Sequence, residues 1–172
     1  METSNMSRVG FGVGGQFNAA HPAVPELVGV GEYSESDFLE LARMEESYYK
    51  EVDTSESYDE IEFRDDVRKA LQDPSQMIFV ARVGSLIAGF IWLEEMALGS
   101  DTIGYISNIH VAKKYRQLGI AANLLNRAEE YFKKRRIKSI QLEVVQNNTP
   151  AIRLYLKTGF VPIGEYMVKS LT

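Results

Sequence analysis

A stretch in the second half of the chain has the residue types and order that would bind an anionic phosphate group. The run Ile106–Val111 predicts a strand and Leu118–Arg135 predicts a helix, so a tight turn must lead into the helix. Such a turn leaves several backbone N–H groups pointing outward, with the positive end of the helix dipole behind them. Gly119 allows close approach of an anion, and Lys113 and Lys114 add positive charge. This pattern predicts a pyrophosphate-binding turn, but an ordinary strand-to-helix turn with surface lysines would share its composition.

A glycine-rich pattern near the N-terminus does not predict a dinucleotide site. Gly10, Gly12 and Gly15 form a literal G-x-G-x-x-G, but a polar start precedes them and Pro22 and Pro25 follow. A dinucleotide fingerprint requires a buried strand before the glycines and a helix after them. We expect residues 1–25 to be a flexible leader and residues 26–172 to form a single domain.

Composition excludes several other kinds of chemistry. The 172 residues include no cysteine and two histidines far apart, which argues against a thiol nucleophile, a disulfide framework and a metal centre. No apolar run approaches the roughly 18 residues of a membrane span, and the start lacks the features of a secretory signal. A cytoplasmic protein without a membrane or metal partner is the expectation.

The elements around the turn predict a mixed α/β sandwich. Gly84-Ser85 between two β-rich runs predicts a hairpin, and the strand–helix–strand passage from 103 to 145 predicts a parallel crossover. Ser34 predicts a helix start, continued by the apolar spacing of Phe38, Leu39, Ala42 and Met44. The predicted elements share hydrophobic periodicity bounded by breakers: strand Leu27–Val30, a helix from Ser34 to about Tyr49, a loop Lys50–Glu60, helix Glu62–Gln72, strands Met77–Val83, Leu86–Glu95 and Ile103–Val111, helix Leu118–Arg135, strand Ser139–Val145, helix Pro150–Lys157 and an extended stretch Gly159–Leu171.

Charge divides unevenly along the chain, whose formal net charge is −5. Residues 26–101 hold 19 acidic and 6 basic residues, whereas residues 102–172 hold 4 acidic and 12 basic residues. If the two parts form different walls of one cleft, one wall suits a polyanion and the other a cation. The alternative is that most of these charges simply lie on solvent-exposed helix faces.

Residues 103–160 resemble the GNAT (Gcn5-related) N-acetyltransferase family. The turn matches that family's signature, a strand ending Ile109-His110-Val111 followed by Arg116-Gln117-Leu118-Gly119-Ile120-Ala121 opening a helix. A second family segment follows in Leu142-Glu143-Val144, then Asn148-x-x-Ala151-x-x-Leu154-Tyr155, then Gly159-Phe160. This second segment is most similar to the ribosomal-protein N-terminal alanine acetyltransferases. The resemblance implies a GNAT-like mixed sheet flanked by helices, with a strand-to-helix pyrophosphate loop.

The resemblance also implies acetyl-coenzyme A (acetyl-CoA) as cofactor and names the residues that hold it. The backbone of the strand would pair with the pantetheine arm, the amides of the turn would hold the pyrophosphate, and Asn148 would help place the cofactor. These expected cofactor-binding residues are Ile109, His110, Val111, Arg116, Gln117, Leu118, Gly119, Ile120, Ala121, Ala122 and Asn148.

In the resembled subgroup the strand glutamate is the general base and the helix tyrosine the general acid, which correspond here to Glu143 and Tyr155. An amine acceptor is mostly protonated at pH 7, so it must lose a proton before it can attack a thioester. Without cysteine we expect direct transfer rather than an acyl-enzyme. His110 is a rival base, and Glu94 or Glu95 are alternatives for the base or for binding the acceptor ammonium.

The resemblance weakens after Gly159-Phe160. N-terminal peptide acetyltransferases usually close the peptide site with a longer hairpin bearing paired tyrosines, whereas only Tyr166 remains here. A protein N-terminus, a lysine side chain and a polyamine therefore all remain open as the cationic acceptor, and a homodimer is a further expectation.

An acetyl-CoA sensor without transferase activity is the alternative function. A nucleic-acid partner, suggested by the run Lys133–Arg136, is not expected because cations are common at helix C-termini.

Overall fold

The computed structural model describes residues 27–51 and 57–164. The predicted leader, residues 1–25, lies outside the described residues. Five strands form one sheet: β1 (Leu27–Glu32), β2 (Gln76–Val83), β3 (Leu86–Leu98), β4 (Asp101–Val111) and β5 (Ile140–Leu142). Four helices accompany them: α1 (Phe38–Glu51), α2 (Glu60–Gln72), α3 (Ile120–Lys134) and α4 (Thr149–Lys157).

The strand order β1-β2-β3-β4-β5 confirms the predicted mixed α/β sheet. β1 to β4 pair antiparallel, with the predicted turn at Gly84-Ser85 joining β2 to β3. β5 pairs in parallel with β4 after the crossover through α3, as the strand–helix–strand order required.

Local capping explains where the helices begin. Asp37 Oδ2 accepts the Ser34 backbone N–H at 2.8 Å in a short 3₁₀ turn, Glu35–Asp37, that leads into α1. Asp59 caps α2 by accepting the N–H groups of Ile61 and Glu62. α2 ends at Gln72 because Asp73 precedes Pro74 and is held in an extended conformation.

Each face of the sheet carries its own hydrophobic core. Residues of α1 and α2 pack with Ile78, Val80 and Phe90 on one face. On the other face α3 contributes a buried stripe at helical spacing, Ile120, Leu124, Leu125, Ala128 and Phe132. Tyr155 of α4 belongs to this second core.

A β-bulge in β4 changes which face its side chains reach. Leu93 pairs with Ile106, but the next residue of β3, Trp92, pairs with Asn108, so Ser107 is an extra residue. Ile106 packs in the α3 core, whereas Asn108 contacts α1. Without the bulge these two residues, two apart, would lie on the same face.

Three predicted features differ from the structure. β5 is shorter than the predicted Ser139–Val145, because it separates from β4 after Leu142, and Glu143 lies beyond its end. Residues 160–164 are not in a strand, so the predicted extended stretch Gly159–Leu171 is wrong over that part, and residues 165–172 are not described. Leu39, counted among the apolar residues of α1, is 60% exposed, and Leu41 is buried instead. Within residues 27–51 and 57–164, no helix is both long and apolar enough for a membrane span.

Candidate functional site

The turn between β4 and α3 has a backbone shaped for an anion. Gln117 and Gly119 both adopt positive φ, 65° and 78°, the first of them unusual for a residue with a side chain. Asn123 N–H donates the first helical bond of α3, to Gly119 O at 3.1 Å. The N–H groups just before Asn123 therefore lie outside the hydrogen-bond ladder of the helix, at its positive end. A Cβ built on Gly119 would meet no heavy atom within 4 Å, so the space in front of the turn is open.

These features fit the pyrophosphate of coenzyme A. The resemblance assigns this role to the backbone amides, not the side chains, of Gln117, Gly119, Ile120, Ala121 and Ala122. Ile120 is buried at 1% exposure and anchors the turn in the α3 core beside the half-buried Leu118. A backbone site anchored in this way needs no large rearrangement to receive an anion.

Arg116 stands at the edge of this turn with partners of its own. Its Nε donates to Val111 O at 3.0 Å, and its Nη1 lies 2.8 Å from Glu51 Oε2 at the end of α1. The hydrogen bond from Arg116 lowers the pKa of Glu51, which stays ionised. The cation is thereby held in place next to the turn.

β4 extends beyond its pairing with β5. The parallel pairing runs along Gly104–Ile106, whereas β4 continues to Val111. The two strands therefore separate before Ile109, and an extended group could add to β4 there in the manner of a strand. This is the position that the resemblance assigns to the pantetheine arm.

Asn148 is the N-cap residue of α4. Its Oδ1 accepts the Ala151 N–H at 3.3 Å and so caps the helix. The cap uses the side-chain oxygen, so the Nδ2 group is what Asn148 has to offer a ligand. An open depression lined by Val145, Gln146 and Asn147 lies beside it.

Tyr155 is buried at 8% exposure, with its ring 5.7 Å from that of Phe160. Burial, and then the charge of Tyr48 on α1, raises the pKa of Tyr155 to about 12. The hydroxyl therefore keeps its proton at neutral pH, as a general acid must.

The predicted bases occupy different environments. Glu143 is exposed beyond the end of β5. His110 is buried against the rings of Tyr48 and Phe90, and burial, then the charge of Arg116, lowers its pKa to about 4. Its imidazole is consequently neutral and only weakly basic at pH 7.

Glu94 and Glu95 lie on opposite faces of the sheet. Glu94 accepts a hydrogen bond from Ser107 of β4. Glu95 forms an ion pair with Arg135, just after α3, which also donates to Pro74 O. Of the two, Glu94 shares the α1 side with Trp92, which lies two residues away on β3.

Sequence reasoning missed a buried carboxylate on that same side. Glu45 of α1 is 6% exposed, and Asn108 Nδ2 donates to both its oxygens, at 2.9 and 2.8 Å. Burial raises the pKa of Glu45 from 4.5 to about 7, and the hydrogen bond from Asn108 opposes that rise. The signal was present in the spacing of α1, because Phe38, Leu41 and Glu45 share one helical face.

The remaining features raised by the sequence are possible metal ligands and the basic run Lys133–Arg136. Among residues 27–51 and 57–164 there is no group of three His, Cys, Asp or Glu side chains placed to hold a metal ion. In the basic run Lys133–Arg136, Lys133 pairs with Glu129 and Arg135 with Glu95. Those two cations are therefore engaged within the protein.

Residues 38–160 match the Acetyltransferase (GNAT) family. The chain is 44% identical over 73 residues to the GCN5-related N-acetyltransferase 6, chloroplastic, of Arabidopsis thaliana, covering 42% of this chain and 25% of the relative. It is 31% identical over 100 residues to the N-alpha-acetyltransferase of Sulfurisphaera tokodaii, covering 52% of this chain and 59% of the relative. The chain thus spans 25% to 59% of the length of these curated relatives.

The fold agrees with this match. A predicted acetyltransferase with acetyl-CoA from Clostridium acetobutylicum superposes with a TM-score of 0.70 at 19% identity, over 83% of this chain and 96% of that one. The family match covers the four helices, strands β2 to β5 and the turn before α3, and it extends over more than half of the chain. The chain therefore belongs to the GNAT acetyltransferase family.

Proposed function

We propose that this protein transfers the acetyl group of acetyl-CoA directly to a primary amine. The observation that carries the proposal is the turn before α3, where Gln117 and Gly119 adopt left-handed backbone at the positive end of a buried helix. A site of this kind binds a pyrophosphate through main-chain amides. Acetyl-CoA bound there would supply an activated thioester.

The residues around the gap between β4 and β5 would then serve the transfer. The backbone of Ile109 and Val111 binds the extended arm of the cofactor, and Asn148 and Arg116 flank it. Tyr155, protonated at neutral pH, donates a proton to the departing sulfur. Glu143 is the base that the family resemblance names. Cysteine is absent from the chain, so no thiol is present to form an acyl-enzyme.

The acceptor is a cationic amine: a protein N-terminus, a lysine side chain or a polyamine. An α-amino acceptor is favoured by the similarity to the archaeal N-alpha-acetyltransferase and by the segment from Glu143 to Phe160. Cytoplasmic location and a homodimer stay predictions, and the plant relative is a chloroplastic protein.

The test is release of coenzyme A from acetyl-CoA with three separate acceptor classes: peptides with free N-termini, lysine peptides with blocked N-termini, and polyamines. We expect release with one class and not with all three. Acetyl-CoA binding measured by calorimetry, without release for any class, would favour the sensor alternative. A protein that neither binds acetyl-CoA nor releases coenzyme A would refute the proposal.

A further inference from the structure

Glu45 of α1 and Asn108 of β4 form a hydrogen-bonded pair between the helix and the sheet. Both oxygens of the Glu45 carboxylate accept hydrogen bonds from Asn108 Nδ2, at 2.9 and 2.8 Å. Asn108 reaches α1 because the bulge at Ser107 turns it away from the α3 core. The hydrogen bonds between Asn108 and Glu45 therefore depend on the β-bulge in β4.

The pair lacks the counter-charge that a purely structural buried carboxylate would need. Asp37, the other buried acid of the described residues, pairs with Arg82 at 2.6 Å. Across residues 27–51 and 57–164, no cationic side chain lies within 4.0 Å of Glu45 in an ion pair. Burying a carboxylate without a cation is costly, and an apolar residue would serve the fold better. A cationic ligand would supply the missing partner.

Aromatic rings follow Glu45 along α1: Tyr48 contacts His110 of β4 with ring centroids 5.8 Å apart, and Tyr49 contacts Tyr58 at 6.0 Å. Burial, and then the charge of Glu45, raises the pKa of Tyr48; burial, then the charge of Glu60 and of Glu45, raises the pKa of Tyr58. Burial, and then the charge of Tyr48, raises the pKa of Tyr155. Trp92 lies opposite Asn108 in the sheet. The Tyr58 hydroxyl is buried and finds no hydrogen-bond partner among the described residues. A carboxylate with aromatic rings beside it is a recognised way to bind an ammonium group.

We infer that Glu45 is the group that binds the acceptor ammonium and takes its proton, directly or through one water, while Asn108 positions it. This inference rests on the proposed acetyl transfer and names the base for it, in place of Glu143. One N–H bond of the ammonium breaks and its proton passes to Glu45. The freed nitrogen lone pair forms the bond to the acetyl carbon, and the carbon–sulfur bond breaks with its electron pair on sulfur. Of the three ammonium protons, one stays on the product amide, one replaces the proton that Tyr155 gives to sulfur, and one leaves to solvent through Glu45.

The other titratable groups around the pair are less suited to this step. Tyr48 and Tyr58 have pKa values raised by burial, so they stay protonated near pH 7. On β4, His110 has a pKa of about 4. On β3, Glu94 is hydrogen-bonded to Ser107. Glu45, with a pKa of about 7, is ionised over the range in which a general base is most effective.

The test is the pH dependence of kcat/KM with a lysine or polyamine acceptor, whose amine stays protonated from pH 5.5 to 8.5. For the wild type we expect an ascending limb with an apparent pKa near 7. Glu45→Gln retains size and a hydrogen-bond acceptor for Asn108. It should lower kcat/KM by about 100-fold and abolish the limb, with no change in the Kd for acetyl-CoA.

Asn108→Ala is the second variant for which the pH dependence of kcat/KM is measured. In the wild type, the hydrogen bond from Asn108 favours the ionised form of Glu45. Removing this bond should therefore move the ascending limb of the kcat/KM profile to higher pH, while most of the activity at pH 9 remains. Glu46→Gln is the matched control, because Glu46 pairs with Lys50 on the exposed side of α1, and it should leave the profile unchanged.

The outcomes separate this inference from the proposed function. A wild type that releases no coenzyme A with any acceptor would overturn both. Wild-type activity that persists in Glu45→Gln with the same limb, or a limb that disappears in Glu143→Gln instead, would overturn only the role of Glu45.

Discussion

At the scale of single residues, the hydroxyl of Tyr155 has the acid role in the proposed function. Its side chain is packed in the α3 core but lies close enough to Tyr48 on the opposite helix layer to respond to its charge. This is consistent with a proton donor located at the gap between β4 and β5.

We expect Tyr155→Phe to lower turnover by about 100-fold, because it removes the proton donor and retains the ring that packs on Phe160. The Kd for acetyl-CoA, measured by calorimetry, should stay unchanged. Tyr131→Phe is the control, since the Tyr131 hydroxyl is also buried but lies on α3 against Phe79. Equal turnover of Tyr155→Phe and wild type would remove Tyr155 from the acid role.

Among the elements, the turn before α3 combines two properties, a left-handed backbone and a position at a helix N-terminus. The left-handed backbone occurs elsewhere, for example at Gly84 in the β2–β3 hairpin, where φ is 61°. Comparing substitutions at the two glycines separates backbone strain from loss of the anion site.

We predict that Gly119→Glu abolishes acetyl-CoA binding, because it places a negative side chain at the positive end of α3. Gly84→Glu carries the same charge and comparable backbone strain, and its Cβ also meets no heavy atom within 4 Å. It should bind acetyl-CoA with the wild-type Kd by calorimetry. An unchanged Kd for Gly119→Glu would mean that the anion site is misassigned.

Packing between β4 and α3 sets the position of the strand that carries the site. A Cβ on Gly104 would lie 2.7 Å from ring carbons of Phe132, a side chain buried at 1% exposure. Only glycine allows the ring to approach the strand so closely.

We expect Gly104→Ala to lower the free energy of unfolding by about 1–3 kcal/mol, measured by urea denaturation, because the ring must shift within a packed core. Gly31→Ala, on the edge strand β1, meets nothing within 4 Å and should cost less than about 1 kcal/mol. Equal stability of the two variants would contradict the close approach between Gly104 and Phe132.

At the scale of the whole molecule, two buried groups make stability depend on pH in opposite directions. The pKa of Glu45 is raised from 4.5 to about 7, so the folded protein loses stability as pH rises from 4.5 towards 7. The pKa of His110 is lowered from 6.5 to about 4, so the folded protein loses stability as pH falls from 6.5 towards 4. Between these limits the two effects partly cancel.

Glu45→Gln should therefore be more stable than the wild type at pH 8, by up to about 3 kcal/mol, because it removes a buried charge. The difference should vanish below about pH 4.5, where the carboxyl is protonated in both the folded and unfolded states. Thermal unfolding across this pH range measures it, with Glu46→Gln as the control that shows no such gain. A variant less stable than the wild type at pH 8 would mean that the Glu45 carboxylate stabilises the fold.

The fold also shows which elements contain the acidic and the basic parts of the chain. Among the described residues, the acidic part of the chain contains β1, α1, α2, β2 and β3, and the basic part contains nearly all of β4 together with α3, β5 and α4. Many acidic side chains of α1 and α2 pair with cations three or four residues away, as Glu60 does with Arg64. Helix-surface pairing therefore accounts for part of the charge division.

The local sequence by itself determined most of the elements, their order and the strand-to-helix turn before α3, because periodicity, capping residues and glycine act over a few neighbouring residues. Ile109–Val111, Gly119 and the hairpin at Gly84-Ser85 were recognisable for this reason. The tertiary structure decided the rest. The separation of β5 from β4 left Glu143 outside the strand, and the bulge at Ser107 turned Asn108 towards Glu45, 63 residues away. Strand pairing and bulges depend on contacts between distant residues, so neither could be predicted from periodicity.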